Sequence, residues 1–548
     1  MQIGAKASPA IRGAPLALLE ARVALAVRRA HPMGATRRRF LKTVTGTATL
    51  CLADGPSLFS LAALGADAPP ERVRFDPDLE PIVRLIEETP REQCVRVFVA
   101  ELRRGLPYRR FLAASLFAGI RRMHSHHEVY KIHSVHQVSM DVRAEERLLP
   151  LFWALNGYKQ RQEDFPLAAM TELRGRLPSA ENAGGEFREA MQRSDQGRAE
   201  TALVAMARGQ GVRASMEQLW QYGCRNGGTG GHMAIALANC FRALETIGWQ
   251  QAELALRFVV QDWFSLGYAR PDRYFQPNQA RVEEHLGHLP AGWAGERADR
   301  SATRELLGQI REGQVEPALA LAVQQLRRGI GAQALWDAVH LGTAELLVRH
   351  NDGWGLASRP LHSNTSTNAL HYAFRTSTVP ATRFLVLLQA IAWAADKIGG
   401  DRASGALRDL SIIDLPAINV PTSTEDAVAE IFAQLPARSY RWDATNRRAL
   451  LTYGTRADAD EACRKVFVLA QERPNAVPLL VQAAHSWLCR KASNDTHEYK
   501  FLAAILENVG WVSPEWRPHL LAASIHYFHG NRSPDNSIIQ QAREALQR

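Results

Sequence analysis

Apolar residues recur along most of this chain at the spacing of one face of an α-helix. Segments such as "HMAIALANCFRALETI", "AQALWDAVHLGTAELLVRH", "TRFLVLLQAIAWAADKI" and "VPLLVQAAHSWLCRK" place them at i, i+3, i+4 and i+7. The strict alternation of apolar and polar residues that is typical of strands is scarce. The pattern predicts an all-α protein, a compact multi-helix array of irregular antiparallel helix pairs. In "STEDAVAEIFAQL", Ser423 or Thr424 is expected to cap a helix.

Clusters of proline, glycine and polar residues predict connections between helices at residues 177–187, 286–301 and 410–424. We therefore expect four regions in the chain. They are an N-terminal targeting region at 1–68 and helical regions at 69–180, 181–410 and 411–548.

The N-terminal region reads as an export signal. "RRRFLK", residues 37–42, precedes a weakly apolar run, and Ala66-Asp67-Ala68 offers a small-x-small cleavage site. The stretch resembles the twin-arginine (Tat) signal, which implies export of a folded protein through the Tat translocon to the periplasm or the medium. Met33 is an alternative start that would leave residues 1–32 untranslated. The competing interpretation is a basic arm that binds a membrane surface or nucleic acid.

Composition narrows the function classes further. The 548 residues are 46% hydrophobic and 22% charged, with a formal net charge of +10, much of it contributed by the targeting region and its upstream extension. Without a concentrated basic stripe beyond that region, we expect no nucleic-acid partner. No apolar run is long enough for a membrane-spanning segment. The cysteines form no C-x-x-C pair, which favours buried, inert thiols.

Histidines are the candidate metal ligands of this chain. One cluster, in "RRMHSHHEVYKIHSVHQVSM", contains His124, His126, His127, His133 and His136. His133 and His136 share a helix face at a spacing that suits a metal. Because no carboxylate lies between them, a polar helix face that is exposed or lines a cleft is the favoured interpretation.

Other histidines lie singly in unusual contexts. His232 follows "NGGTGG" at a helix start, and His340 and His485 lie in apolar helical segments. His362 precedes "SNTSTNAL", whose hydroxyl residues are expected to cap a new helix, and His497 shares a helix face with Lys500. Burying such groups separately is costly, whereas a shared metal ion would remove that cost. The alternative is that each is a hydrogen-bonded core histidine.

Four of these segments occur in the order of motifs in a known family. "GGHMAIALANCFRALETIG", "WDAVHLGTAEL", "PLHSNTSTNAL" and "NDTHEYK" resemble elements of the questin oxidase-like family over residues 225–510. The resemblance implies an all-α oxidase with non-haem iron, held by several histidines and by a lysine that carboxylation would make anionic. Carried onto this chain, the expected metal ligands are His232, His340, His362, His485, His497 and Lys500. Whether His485 or His497 is the closer partner of Lys500 stays open.

The sequence therefore predicts an exported, metal-dependent oxidoreductase that uses iron and dioxygen to oxygenate or cleave a small aromatic or quinone-like substrate. Two alternatives remain. A zinc hydrolase would use the same histidines to activate water, and a non-enzymatic helical scaffold would use them structurally. No motif for a nicotinamide or flavin cofactor is present.

Overall fold

Most of the residues that the computed structural model describes lie in helices, as the apolar periodicity predicts. The structure describes residues 73–548 except 124–125, 165–168, 174–175, 229, 266–269, 351–352, 444–447, 454–455 and 494. The predicted export signal, with its arginines and its cleavage site, lies outside the described residues.

The described residues contain 22 α-helices and one β-hairpin. The first eight helices are α1 (Glu80–Glu88), α2 (Cys94–Arg103), α3 (Tyr108–Arg121), α4 (His126–Asp141), α5 (Leu149–Asp164), α6 (Ala180–Gln192), α7 (Gln196–Gly209) and α8 (Val212–Gly223). The next eight are α9 (His232–Ile247), α10 (Ala252–Ser265), α11 (Phe275–His285), α12 (Arg300–Arg311), α13 (Val315–Arg327), α14 (Ala332–Arg349), α15 (Gly353–Thr376) and α16 (Pro380–Ala403). The remainder are α17 (Thr424–Gln434), strands β1 (Arg438–Asp443) and β2 (Arg448–Tyr453), α18 (Arg456–Glu472), α19 (Val477–Lys491), α20 (Thr496–Trp511), α21 (Arg517–Ser524) and α22 (Ser537–Gln547). The strands pair antiparallel, with Arg438 opposite Tyr453.

The helix cap predicted at Ser423 or Thr424 is confirmed. Ser423 is the N-cap of α17, where its side chain accepts a hydrogen bond of 3.2 Å from the backbone N–H of Asp426. The predicted connections at 286–301 and 410–424 contain short 3-10 turns but no α-helix before Arg300 and Thr424. The five cysteines of the described chain are all buried and free.

Two local predictions are wrong. The connection expected at 177–187 is helical from Ala180 onward, because α6 packs along α7 and buries Phe187 in spite of its two glycines. The hydroxyl residues after His362 were expected to cap a new helix, but the segment lies inside the 24-residue helix α15, with Pro360 in its interior. The hydroxyl of Ser363 bonds back to the carbonyl of Arg359 instead of capping a helix.

Four helices of the described residues position the candidate site. Helices α4, α9, α15 and α20 pack against one another in a closed cycle, α4 on α9, α9 on α15, α15 on α20 and α20 on α4. We call this set the central bundle. Helices α14 and α16 cover the side of α15, and α3 and α5 cover α4.

All described residues belong to one unit that spans Ala63–Arg548, and the division into regions 69–180, 181–410 and 411–548 stays a prediction. None of the helices in the described part combines the length and apolar character that crossing a bilayer would require.

Candidate metal centre

Each helix of the central bundle contributes one histidine to a common point. His127 of α4, His232 of α9, His362 of α15 and His497 of α20 each place one ring nitrogen so that all four nitrogens lie within 4.8 Å of one another. We call these residues the histidine cluster. Among the described residues, no other group of three or more histidine, cysteine or acidic side chains converges in this way.

The histidines meet because three of them occupy first helical turns. His232 is the first residue of α9, and His127 and His497 are the second residues of α4 and α20. An apolar stripe on each helix packs it into the bundle and carries its first turn to the same end. His362 reaches that level from within α15.

The glycine-rich loop before α9 brings His232 against α15. Gly230 and Gly231 have φ of +78° and +72°, in the left-handed region that glycine adopts without strain. A Cβ at Gly231 would lie 2.5 Å from the Cβ of Ser366, and one at Gly230 would lie 3.0 Å from the His362 ring. These positions need glycine for both their conformation and their close approach to α15.

One nitrogen pair of the cluster already has the spacing of metal ligands, and the four rings surround a common point. Nε2 of His232 lies 3.2 Å from Nε2 of His127. The ring centroids of successive histidines around the cluster are 5.0, 4.6, 5.1 and 4.5 Å apart. Nitrogens bound tetrahedrally to an ion at about 2.0–2.1 Å would be about 3.3 Å apart. The His127–His232 pair already has this spacing, and the other nitrogens, all within 4.8 Å, would move closer together on binding one ion.

Asp495 sets the orientation of His497. Its Oδ1 is 2.7 Å from Nδ1 of His497 and also accepts a hydrogen bond of 3.1 Å from the backbone N–H of the same residue. With Nδ1–H donating, the lone pair is on Nε2. That Nε2 is buried and has no hydrogen-bond partner among the described residues. A carboxylate behind a histidine whose other nitrogen is unpartnered is the usual environment of a metal-binding histidine.

The charge of Asp495 is retained in this position. Burial alone would raise the pKa of Asp495, but the interactions with His497 and the positive charge of Lys500 outweigh burial and lower the pKa. The carboxylate therefore supplies negative charge behind His497 without itself being one of the four converging groups.

Lys500 lies one helical turn after His497 on α20 and is 5% exposed. Burial lowers its pKa to about 7, against the opposing effect of Asp495. Its Nζ has no hydrogen-bond partner among the described residues. The predicted ligand Lys500 is thus a neighbour of the cluster along α20.

Of the six residues predicted from the sequence, the structure brings His232, His362 and His497 together. His340 lies in a different environment, within α14, where its Nε2 is 2.8 Å from Nδ1 of His371. The His371 ring stacks on Trp336, with centroids 4.3 Å apart. Burial lowers the pKa of His340 to about 3. His340 is therefore a neutral core histidine paired with another histidine.

His485 also lies apart from the cluster. It is on α19, and its Nδ1 is 3.5 Å from the carboxylate of Asp141 at the end of α4. Burial lowers the pKa of His485 to about 4 and raises that of Asp141 to about 6. The sequence left open whether His485 or His497 is the closer partner of Lys500. The structure places His497, one helical turn before Lys500 on α20, in the cluster and His485 outside it.

His127, in the "HSHHEVYKIH" segment, is not among the metal ligands predicted from the sequence. In the same helix, His133 and His136 have a spacing that suits a metal, but Nδ1 of His136 is 3.2 Å from the hydroxyl of Tyr108, and His133 lines an internal cavity. The signal that identifies His127 is its position: like His232 and His497, it stands where an apolar helical pattern begins.

Comparison with protein-family models, with curated proteins and with solved structures finds no significant match to this chain. The resemblance to the questin oxidase-like family thus rests on short motifs, three of whose histidines belong to the cluster.

Proposed function

We propose that this protein is an exported, metal-dependent oxidoreductase whose histidine cluster holds one non-haem iron ion. The observation that carries the proposal is the convergence of four imidazole nitrogens from four separate helices within 4.8 Å. Three of those histidines lie on segments that resemble an iron-dependent family, and the fourth completes the set.

A metal explains the cluster better than four independent core histidines do. Buried polar nitrogens without partners destabilise a fold, and Nε2 of His497 is such an atom among the described residues. Neutral imidazoles are good ligands for iron, zinc, copper and nickel. A shared cation would satisfy all four nitrogens at once, which supports a site for a first-row transition metal.

Iron in such a site supplies one-electron chemistry with dioxygen. The chain's own contribution would be to fix the ligands and the charge around them. Asp495 orients His497, the glycine loop holds His232 beside His362, and Lys500 offers a buried amine one turn away. On this proposal the substrate is a small aromatic or quinone-like molecule.

A zinc hydrolase is the second candidate, and the donor spacing favours it specifically. The 3.2 Å between the Nε2 atoms of His127 and His232 is close to the tetrahedral spacing that zinc prefers. Bound zinc would lower the pKa of a water ligand and so promote ester or lactone hydrolysis.

Metal analysis of anaerobically purified protein, combined with oxygen uptake in the presence of aromatic and quinone-like compounds, separates these functions. Iron together with substrate-dependent oxygen uptake is the expected result. Zinc together with ester or lactone hydrolysis would replace the first proposal with the second. Protein that is free of metal and has the same melting temperature with and without added metal would leave only a helical scaffold.

Export is proposed from the N-terminal sequence alone. Replacing Arg37 and Arg38 by lysine should retain the protein in the cytoplasm, because the translocon recognises the paired arginines. Fractionation of cells that carry the full chain checks this, with an Arg39→Lys variant, which keeps the Arg37-Arg38 pair, as the control. Unchanged export of the double-lysine variant would contradict the proposal.

A further inference from the structure

A small cavity lies inside the central bundle, further along each helix than the histidine cluster. Its volume is about 10 Å³. On each of the four helices, the residues that line the cavity follow the cluster histidine by three to ten positions. The lining includes His133 on α4, Asn239 on α9, Thr365 on α15 and Lys500 on α20. The four helices therefore run in the same direction from the cluster to the cavity.

Two lining side chains lack hydrogen-bond partners. Nζ of Lys500 and Nδ1 of His133 are both buried, and neither has a partner among the described residues. Lys500 is 5% exposed and His133 is 8% exposed. An unpartnered buried donor or acceptor costs about 1–3 kcal/mol. Two such groups on one cavity indicate that something polar lies between them.

The other end of the cavity is already paired. Nη2 of Arg242 donates to Oε2 of Glu507 at 2.5 Å, and the amide of Asn368 donates to the same oxygen at 2.8 Å. The Glu507 side chain is 13% exposed, so this end of the lining approaches the protein surface. Because Arg242 and Glu507 neutralise each other, the cavity offers no net cationic pocket beyond the single amine.

We propose that this cavity is the binding site of one internal water molecule, which accepts a hydrogen bond from Lys500 and donates one to His133. A volume of about 10–15 Å³ is what a single water requires. The water would link the amine of Lys500, one helical turn after His497, to the ring of His133 on the neighbouring helix α4.

The protonation state of His133 suits this role. Burial lowers its pKa well below the ordinary value of 6.5, with the charge of Arg242 acting in the same direction. The ring is therefore neutral, and one of its nitrogens accepts. A water molecule can accept from the amine and donate to the ring, whereas an anion could not donate to His133.

A crystal structure of the metal-free protein tests the water site independently of the proposed metal function. The expected result is a density peak about 2.7–3.2 Å from Nζ of Lys500. The peak should persist in Lys397→Met and disappear in Lys500→Met. Lys397 is a matched control, because its buried amine bonds to Ser366 at 3.3 Å and lines no part of this cavity.

A wild-type cavity without density would overturn the proposal, even if Lys500→Met does not fold. Retention of the peak in Lys500→Met would overturn the assignment of Lys500 as its donor. Failure of the protein to bind metal would contradict the proposed function and leave the water site intact.

Discussion

Asp495 combines two roles that are normally separate. Its carboxylate caps α20 through the backbone N–H of His497, and it also bonds Nδ1 of that ring. The cap fixes the start of the helix, and the ring bond fixes the direction of Nε2. A single residue thereby links helix formation to the geometry of the histidine cluster.

Replacing Asp495 by asparagine should separate these roles. Asparagine caps helices as well as aspartate does, so the free energy of unfolding of the metal-free protein should change little. Loss of the carboxylate behind His497 should weaken metal binding by about 10–100-fold. Competition with a chelator measures the affinity, and urea unfolding measures the stability. Unchanged affinity would show that Asp495 does not support a metal ligand.

At the scale of elements, the loop at 227–231 fixes how α9 enters the bundle. The loop passes so close to α15 that a side chain at Gly231 would overlap Ser366. The position of His232 therefore depends on backbone conformation as well as on helix packing.

Gly231→Ala should destabilise the protein by at least about 1–2 kcal/mol, since the left-handed conformation alone costs that much for a residue with Cβ. It should also weaken metal binding, because the added methyl group pushes the start of α9 away from α15. Gly308→Ala in α12 is the control. That glycine is helical with nothing within 4 Å of an added Cβ, so the change should stabilise by about 0.5–1 kcal/mol. Equal stability of the two variants would contradict the role given to the loop.

Helices with continuous apolar periodicity could be predicted from the sequence. Helices that form only because they pack on neighbouring helices could not. The patterns over α9, α14, α16 and α19 correspond closely to the observed helices. Helix α6 was mistaken for a connection because its glycines disfavour helix locally, while packing on α7 compensates. The start of a new helix was expected after His362 because serine and threonine favour N-cap positions, whereas packing on α9, α14 and α16 keeps α15 continuous.

At the scale of the whole molecule, local sequence patterns could not predict which histidines would meet at the site. His340 and His232 both lie in apolar helical sequence, yet only His232 reaches the cluster. The difference arises from which helices are neighbours and which way they run, and neither is encoded in a short segment. His127 was missed for the same reason, since its role depends on the direction that α4 shares with α9 and α20.

Buried neutral histidines should make the fold sensitive to acid. Burial lowers the pKa of His340 from the ordinary 6.5 to about 3, so the unfolded state binds a proton more readily between these values. The neutral ring costs no stability above pH 6.5, and stability falls by about 1.4 kcal/mol per pH unit below it, until pH approaches 3.

Urea unfolding of the metal-free protein at pH 7 and pH 5 should therefore show a smaller loss of stability for His340→Gln than for the wild type. His288→Gln changes an exposed histidine and should behave as the wild type does. An identical pH dependence in all three proteins would contradict the buried, neutral state assigned to His340.

If His127, His232, His362 and His497 bind one transition-metal ion, the metal content of the protein must depend on these rings and not on the other buried histidines. We expect one metal ion per chain in the wild type and in His340→Gln and His485→Gln, whose rings lie outside the cluster. We expect loss of the metal in His232→Ala and His362→Ala, each verified as folded by circular dichroism. A folded wild type without metal, or metal at full occupancy in both cluster variants, would show that the histidine cluster is not a metal site.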